Sequence, residues 1–501
     1  METLGALARK TLVRHSEKPA IKDSRGMITF NQLKRNACQL AHALLNEVLT
    51  KGDRVAILMS NRREHIELDI AIALTGLIKV PINYRLHPKE FDYVVDNSGA
   101  SLLIGEANLL ENVSLSIHKI DIDTEYELFL SGHSSDFPDV EVNEDDVYAL
   151  MYTSGTTGKP KGGMLTHRNI ISSALSLNMV CNITHGDVIG HVAPLTHGSN
   201  FLSQCALFFG LKQVIFNKFD PKEFMDDLEK EHISIIFLVP TLVNLMIHEE
   251  NFDPNKLRHI KSINMAGSPI AVEKLNKALS LLGPKLAETY GLVEAPMTIT
   301  MMPKEELASK PDSCGAIGPF VEVRIVDTNG NEVPYGEIGE VTCKGSLVMK
   351  GYWNNEKATN ESMKDGWFHT GDLGKIDEKG YLRLVDRAKD MIITGGLNVY
   401  PREVEEVLNQ HPEVKETCVF GVPDDKWGES IYAHVVLRDD TNNLNVDELI
   451  ELCKRNLASY KKPRKIEIVK ELPKNSYGKI VRRALRDQYQ LKGGNRCQQY
   501  L

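Results

Sequence analysis

A segment rich in glycine and hydroxyl residues, YTSGTTGKPKG, occupies positions 152–162 directly after an apolar run. Glycines let the backbone turn several N–H groups toward one point, which forms a nest for an anion. Hydroxyl and ammonium groups add further donors for phosphate oxygens. The residues that would supply this site are Thr153, Ser154, Gly155, Thr156, Thr157, Gly158 and Lys159. A flexible surface loop is the alternative, but the density of hydroxyls and the two lysines favour a polyphosphate site.

The spacing of this segment excludes a Walker A loop. That motif needs four residues between its glycines, followed by Lys and then Ser or Thr. Here Gly155 and Gly158 enclose only Thr156 and Thr157, and Pro160 follows Lys159. A P-loop kinase or ATPase is therefore not expected.

Further motifs follow in a fixed order and point to one family. They are KGD at 51–53, PLTHG at 194–198, GSP at 267–269, AETYGLVE at 287–294, WFHTGD at 367–372, DRAKD at 386–390, GGLNVYP at 395–401 and PKNSYGK at 473–479. With the phosphate segment they resemble the adenylate-forming superfamily: acyl- and aryl-CoA synthetases, adenylation domains of peptide synthetases, and beetle luciferases. The resemblance covers most of the chain, from Lys51 to Arg483. It implies an ATP-dependent acid–CoA ligase that forms an acyl-adenylate and then an acyl-CoA thioester.

The resemblance assigns the nucleotide-binding residues. Tyr290 would pack on adenine, and Asp372 and Arg387 would take the ribose hydroxyls. An aromatic face suits a purine, and a carboxylate is a natural acceptor for a diol. The remaining residues of these motifs are Gly267, Ser268, Pro269, Glu288, Thr289 and Gly291.

Three residues receive catalytic roles by the same resemblance. Glu294 would help to hold Mg²⁺, since a carboxylate suits a hard cation bound together with phosphates. Lys479 would reach the substrate carboxylate and the α-phosphate, and His197 would stand where the acyl pocket meets the pantetheine tunnel. Taken alone, Lys479 would be a solvated surface lysine and His197 a structural histidine.

The chain departs from the family pattern at Val293. The family carries Thr or Ser at this position, and that hydroxyl contacts the α-phosphate. Valine removes one donor, which puts the rate of the first half-reaction in question.

The resemblance also implies a division of the chain. Residues 1–386 would form an AMP-binding domain, residues 387–389 a hinge and residues 390–501 a small, mobile C-terminal domain. Lys389 is the hinge position. Gly395 and Gly396 would line the CoA tunnel after a rotation that withdraws Lys479; a plain turn between strand and helix is the alternative for these glycines.

Hydrophobic patterning predicts the strands and helices that position these motifs. Apolar runs at 147–152, 235–239 and 262–266 are each followed by a turn and a helical pattern. This order predicts an α/β fold with largely parallel sheets. After Cys314 the turns NG and YG indicate hairpins or a β-barrel-like element. The last hundred or so residues predict a small α+β domain in the order helix, strand, strand, helix, strand, helix.

Composition limits the partners. A formal net charge of -9 argues against general nucleic-acid binding, which needs a basic surface. The eight cysteines contain no CxxC pair and fit a reducing compartment. The N-terminus lacks a secretory pattern, and no apolar run approaches the length of a membrane span. We therefore expect a cytoplasmic enzyme whose partners are a carboxylic acid, ATP, Mg²⁺ and CoA; a homodimer is left open.

Three alternatives accompany the leading interpretation, a fatty acid–CoA ligase. The C-terminal block looks most like bacterial fatty acyl-CoA ligases, but it does not touch the acyl pocket, so an aryl or phenylpropanoid acid remains open. A peptide-synthetase adenylation domain is disfavoured because no carrier domain follows Lys479. A catalytically degenerate nucleotide-binding protein would explain Val293, yet Lys479 and Glu294 argue against it.

Overall fold

The computed structural model describes residues 2–153, 159–268, 270–438, 444–475 and 479–494. The chain forms two compact units. Residues 1–269, 276–323 and 343–369 build the first unit, and residues 270–275, 324–342 and 370–501 build the second. The domain boundary predicted at residues 387–389 lies within the second unit and stays a prediction.

The helices are α1 (Leu4–Arg14), α2 (Phe30–Asn46), α3 (Glu64–Thr75), α4 (Pro88–Ser98), α5 (Ala107–Leu110), α6 (Tyr126–Leu130), α7 (His167–Cys181), α8 (Gly198–Phe209), α9 (Pro221–Lys230), α10 (Pro240–Ile247), α11 (Val272–Leu282), α12 (Lys304–Leu307), α13 (Glu356–Ser362), α14 (Pro401–Leu408), α15 (Val446–Asn456) and α16 (Arg482–Gly494). The strands up to the phosphate segment are β1 (Pro19–Asp23), β2 (Gly26–Thr29), β3 (Arg54–Leu58), β4 (Ile78–Ile82), β5 (Leu102–Gly105), β6 (His118–Asp121) and β7 (Val147–Tyr152).

The strands that follow are β8 (Gly162–Thr166), β9 (Val188–His191), β10 (Lys212–Ile215), β11 (Ile235–Leu238), β12 (Ser262–Met265), β13 (Leu286–Tyr290), β14 (Thr300–Met302), β15 (Gly315–Ile317), β16 (Glu322–Val326), β17 (Gly339–Lys344), β18 (Met363–Lys364), β19 (Trp367–Ile376) and β20 (Tyr381–Arg387). The last strands are β21 (Ile392–Thr394), β22 (Leu397–Val399), β23 (Val414–Asp424), β24 (Gly428–Leu437) and β25 (Lys465–Ile468).

Two parallel arrays form the core of the first unit. One sheet has the order β6-β5-β3-β4-β7-β8, parallel except for its last pair. The other contains the parallel run β13-β12-β11-β9-β10-β1. Strands β4, β5, β11 and β12 are buried along their whole length. Strands that are buried along their whole length are typical of parallel sheets covered on both faces. The predicted α/β class is confirmed.

The second unit has the predicted α+β character. It contains most of the antiparallel pair β19 and β20, followed by a separate sheet with the order β22-β21-β24-β23 and β25 paired with β24. Helices α14, α15 and α16 alternate with these strands in the predicted order. Its own apolar core includes Val404, Val419, Ile431 and Leu449.

Helix α3 is buried on all sides. All twelve of its residues are buried, including Glu64, Glu67 and Asp69. Among the helices that the structure describes, none is long and apolar enough to cross a membrane.

Candidate active site

The phosphate segment is held at both ends by a β-hairpin. Strands β7 and β8 pair antiparallel, with Tyr152 opposite Gly162. The Thr153 N–H donates to the Lys161 carbonyl at 3.0 Å. Residues Ser154, Gly155, Thr156, Thr157 and Gly158 lie outside the described residues, so their predicted role as a phosphate nest stays a prediction.

Strand β8 corrects the sequence interpretation, which placed a helix directly after this loop. Its two adjacent glycines, Gly162 and Gly163, have a low β-strand propensity, so the sequence pattern did not reveal this strand. Helix α7 begins only at His167, where Thr166 caps it by accepting the Asn169 N–H. The segment is therefore strand, loop, strand, helix.

Both lysines of the segment lie over aromatic rings. Lys159 Nζ is 5.5 Å from the centre of the Tyr93 ring, and Lys161 Nζ is 5.0 Å from that of Tyr352. Such contacts hold an ammonium while leaving its hydrogens available to an anion. The predicted donor Lys159 is exposed at the edge of the loop.

Glu294, the predicted magnesium ligand, is oriented by a tyrosine. The buried Tyr352 hydroxyl donates to Glu294 Oε1 at 2.6 Å, and the Met349 N–H donates to the Glu294 carbonyl at 2.8 Å. Burial, followed by the Glu294 charge, raises the pKa of Tyr352, so the phenol stays a donor. Tyr352 was not identified from the sequence, because nothing in the pattern links two residues 58 positions apart.

The Tyr352→Phe variant should adenylate about five- to thirtyfold more slowly. The change removes one charge-assisted hydrogen bond, worth about 1–2 kcal/mol, and lets the Glu294 carboxylate rotate. Pyrophosphate release at increasing Mg²⁺ measures the effect, and the Mg²⁺ concentration for half-maximal rate should rise. An unchanged Mg²⁺ dependence would mean that Tyr352 has only a packing role.

Strand β13 presents the residues expected around adenine. Glu288 and Tyr290 are half-buried, whereas Thr289 is buried and accepts a hydrogen bond from Asn264 Nδ2 at 3.2 Å. Gly291 follows at a point of close backbone approach: a Cβ there would stand 2.4 Å from the Met297 nitrogen. Only glycine fits, so the motif YG has a steric reason here.

The turn after β12 has a positive φ angle, which explains the glycine at this position. Gly267 has φ +93°, in the region that favours glycine, and Ser268 follows it. Pro269 lies outside the described residues. The Gly267 turn follows β12, and Gly291 follows β13. Because β12 and β13 are neighbouring parallel strands, the two motifs meet at the same edge of the sheet.

Val293 packs within the first unit. Its Cγ1 lies 3.3 Å from where a Cβ on Gly163 would stand, and it contacts the main apolar cluster. The valine side chain therefore fills space beside β8.

Asp372 and Arg387 form one ion pair of the second unit. They lie directly opposite each other on β19 and β20, and Arg387 Nε contacts Asp372 Oδ1 at 3.0 Å. The Asp372 side chain is only 8% exposed. The resemblance assigned both residues to the ribose, and the strand register brings them together.

Lys479 lies in the electrostatic field of this pair. Its pKa is lowered, first because surrounding protein groups desolvate the ammonium and second because the Arg387 charge repels it; Asp372 acts in the opposite direction. The Lys479 N–H donates to Asn475 Oδ1 at 3.0 Å. Residues 476–478 of the PKNSYGK motif are outside the described residues.

His197 stands at the N-cap of α8 and is half-buried. Its Nδ1 lies 2.9 Å from the Thr196 hydroxyl. The next residue, Gly198, lies against Phe237 of β11, where a Cβ would come within 2.8 Å of the ring. The structure thus places His197 at the start of a tightly packed helix, and its role as a gate stays a prediction.

Gly395 and Gly396 form a two-residue hairpin turn between β21 and β22. Their φ values of +58° and +77° are those of a type I′ turn. The alternative of a plain turn between strand and helix was wrong, because β22 intervenes before α14. Trp427 lies against Gly395, whose N–H donates to the Trp427 carbonyl at 2.8 Å.

The predicted hinge residue Lys389 is exposed in a short 3-10 helix, Ala388–Asp390.

Comparison with known proteins agrees with this arrangement. The model of the AMP-binding enzyme family matches residues 8–353, and that of the AMP-binding enzyme C-terminal domain matches residues 403–479. A feruloyl-CoA synthase from Amycolatopsis is 34% identical, covering 94% of this chain and 96% of its own. A long-chain-fatty-acid–CoA ligase from Escherichia coli is 31% identical, covering 99% and 96%.

A solved structure extends the likeness to three dimensions. O-succinylbenzoate coenzyme A synthetase from Bacillus subtilis, in complex with ATP and magnesium ion, is 30% identical, with a TM-score of 0.87 and coverage of 97% and 99%. The chain belongs to the AMP-binding enzyme family. Within it, the chain is an AMP-forming acid–CoA ligase of the acyl/aryl class.

ATP, Mg²⁺ and CoA are the cofactors and co-substrates of this class. The described residues contain no group of three or more potential metal ligands. A single oriented carboxylate, Glu294, nevertheless fits a magnesium ion that arrives with the nucleotide, because Mg²⁺ keeps several waters and takes its remaining ligands from phosphates.

Proposed function

We propose that this ligase acts on an apolar carboxylic acid, with fatty acids as its substrates and CoA as the acceptor. The observation that carries the choice is the way in which α8 uses its polar side chains. Ser199, Asn200 and Gln204 are held by hydrogen bonds within the protein, and Ser203 is the one further polar side chain buried on this helix. The helix therefore offers mainly apolar residues to an acyl chain beyond His197.

Two buried networks hold Ser199, Asn200 and Gln204 of α8. Ser199 Oγ is 2.8 Å from His191 Nδ1, and the other ring nitrogen of His191 is 2.9 Å from Gln213 Oε1. Burial lowers the pKa of His191 to about 4, so the ring is neutral at physiological pH. Ser199, His191 and Gln213 are fully buried, so this network stabilises the packing of α8 against the sheet.

The second network centres on a buried ion pair. Lys79 Nζ donates to Asp69 Oδ1 at 2.7 Å and to Asn200 Oδ1 at 2.9 Å. Asn200 and Gln204 of α8 both donate to the other Asp69 oxygen. An unpaired buried charge would be costly, and here each charge has its partners. The ion pair therefore anchors α8 and offers no cation to an acyl chain that carries a second carboxylate.

An aryl acid is the second candidate. It is favoured by the 34% identity to a feruloyl-CoA synthase and by Ser203, whose buried hydroxyl has no hydrogen-bond partner among the described residues. Such a hydroxyl would suit one polar substituent on a ring. The Escherichia coli relative supports the fatty acid choice.

The proposed chemistry proceeds in two steps. The acid oxygen attacks the α-phosphate and pyrophosphate leaves; the CoA sulfur then attacks the acyl carbonyl and AMP leaves. Lys479 would neutralise charge on the carboxylate and α-phosphate, and the ion-paired Asp372 would orient the ribose. Magnesium, held with the phosphates and Glu294, would supply further positive charge. Positioning and charge neutralisation are the main contributions in such transfers.

A change of arrangement between the steps is part of the proposal. We infer that residues 390–501 form a mobile domain that pivots at 387–389. This motion would withdraw Lys479 and bring the Gly395–Gly396 turn to the thiol arm of CoA. Hinges of a few residues are common between catalytic states.

The test is a pyrophosphate-release screen with short, medium and long fatty acids and several aryl acids, each with and without CoA. Turnover with fatty acids that requires CoA is expected. Preference for ferulate-like acids would favour the aryl alternative, and release without CoA dependence would indicate a different acceptor. Silence across all acids would favour first an acid outside the screen and second the degenerate nucleotide-binding alternative. A cytoplasmic location and a homodimer stay predictions.

The Val293→Thr variant should adenylate about fivefold faster. Threonine has nearly the same shape and restores a phosphate donor, worth about 1 kcal/mol. Val293→Ala is the matched control, since it removes the methyl groups without adding a hydroxyl. A pyrophosphate rate no faster than that of the wild type would remove valine as the cause of a slow first step.

A further inference from the structure

Arg482, the first residue of α16, is surrounded by carboxylates from three segments of the second unit. Its guanidinium donates to Asp390 Oδ2 at 3.1 Å and to Glu405 Oε1 at 2.7 Å, and it lies 3.9 Å from Asp386 Oδ1. The Arg482 side chain is 19% exposed and that of Asp386 only 6%, so solvent screens these charges little. A guanidinium suits this place, because its fixed fork of donors serves several carboxylates at once.

Asp386 joins the end of β20 to the start of α14. Its Oδ2 accepts the Arg402 N–H at 2.9 Å, and its Oδ1 accepts the Arg387 N–H at 2.7 Å. The Arg402 guanidinium also donates to the Leu384 carbonyl at 3.3 Å. A carboxylate is favoured here, because the first N–H groups of a helix have no partner within the helix. These contacts connect residues on both sides of the predicted hinge, 387–389.

The segment that carries Lys479 leads directly into Arg482. The Val481 N–H donates to the Pro473 carbonyl at 2.8 Å, and the Asn475 N–H donates to the Lys479 carbonyl at 2.9 Å. These bonds hold the two ends of the segment against each other. Lys479 therefore stands at a fixed place relative to Arg482, and a displacement of the arginine would displace the lysine.

We propose that Arg482 is a positioning residue for adenylation. Together with Asp386 it forms a latch across residues 387–389, and the closed latch holds Lys479 in place for the first step. This inference rests on the proposed two-step function and its pivot. Asp386 precedes the pivot, whereas Arg482 follows it together with its other two carboxylates, so a rotation there separates the two halves of the latch. Opening the latch favours the arrangement for thioester formation.

Two conservative variants test the latch. Asp386→Asn removes the charge that faces the guanidinium, and Arg482→Lys removes the fork of donors. Each should slow adenylation about tenfold, because a misplaced catalytic group costs rate. Thioester formation from supplied acyl-adenylate should be unchanged or faster. Single-turnover assays of both steps measure these effects, with the acid that turns over fastest in the pyrophosphate screen.

The neighbouring arginine provides the matched control. Arg483 is 62% exposed and pairs with Asp487 of the same helix at 3.5 Å. Arg483→Lys should therefore match the wild type in both steps. The Asp386→Asn/Arg482→Lys double variant should be at most about twofold slower in adenylation than the slower single variant, because both changes act on one contact.

Hydrogen exchange of the full-length protein, followed by mass spectrometry, needs no substrate. The amides of residues 387–403 should exchange at least about fivefold faster in Asp386→Asn and in Arg482→Lys, because a local opening lets them exchange. Strands β23 and β24 should exchange as in the wild type, and so should all of Arg483→Lys.

Three outcomes would each overturn the latch: equal loss in both steps, faster exchange throughout β23 and β24, or wild-type behaviour of Asp386→Asn and Arg482→Lys. Slower adenylation with intact thioester formation and faster exchange confined to 387–403 would establish it. If the wild type activates no acid in the screen, the proposed function fails, and hydrogen exchange alone decides for or against the latch.

Discussion

Replacing Lys479 by alanine is expected to lower the rate of adenylate formation by at least about a hundredfold, the usual cost of losing one group that stabilises a transition-state charge. Thioester formation from supplied acyl-adenylate should be nearly unaffected, because the first-step charge has by then left with pyrophosphate. Single-turnover assays of the two steps separate these effects. Equal loss in both steps would contradict the assignment.

The control for this prediction lies in the same segment. Lys474 is partly exposed and pairs with Glu416 at 2.8 Å, so Lys474→Ala should cost less than 1 kcal/mol of stability and leave both rates within about twofold. The lowered pKa of Lys479 adds a pH signature. Only the protonated ammonium neutralises charge, so adenylation should fall as pH rises through this pKa, at a lower pH than an ordinary lysine would give.

The Glu294→Gln variant is expected to lose about a hundredfold in adenylation and to need more Mg²⁺. Glutamine keeps the shape and can still accept the Tyr352 hydrogen, but it removes the negative charge that a hard cation requires. The effect should therefore exceed that of Tyr352→Phe. Pyrophosphate release across a Mg²⁺ titration measures both variants side by side.

An exposed carboxylate provides the comparison. Glu356 opens α13, four residues after Tyr352, and is exposed. Glu356→Gln should leave the Mg²⁺ dependence unchanged. If Glu294→Gln behaved like Glu356→Gln, the metal role assigned to Glu294 would be wrong.

Buried strands were the part of the fold that the sequence predicted best. The apolar run at 147–152 is β7, and those at 235–239 and 262–266 are β11 and β12, each one residue shorter than predicted. Strand β11 ends early because Pro240 begins the next helix and Val239 caps it. Long-range burial dominates in such strands, so local composition is sufficient to find them.

Short strands that contain or adjoin glycine were missed. Strand β8 begins with two glycines, and β22 follows directly after Gly395 and Gly396. Their stability comes from pairing with β7 and β21, which a local pattern does not reveal. Tertiary pairing outweighed propensity in both cases.

Motifs identified individual site residues but not the residues that orient them. The sequence gives no indication that Tyr352 donates to Glu294, or that Asn264 donates to Thr289. These contacts join distant segments and depend on how two elements pack. The ion pair of Asp372 with Arg387 was closer to prediction, since two strands joined by a short turn must pair in register.

The tryptophan beside the Gly395 turn allows this hairpin to be followed by fluorescence. The chain has only three tryptophans, Trp353, Trp367 and Trp427, and Trp427 is 38% exposed against Gly395. Arg464 Cζ and Lys426 Nζ lie 5.2 and 5.3 Å from the centre of the Trp427 ring, so two charged groups stand next to the indole. With the other two tryptophans replaced by phenylalanine, all tryptophan fluorescence would come from Trp427. A change in its intensity or wavelength on addition of ATP, acid or CoA would report a change in the environment of the Gly395 turn.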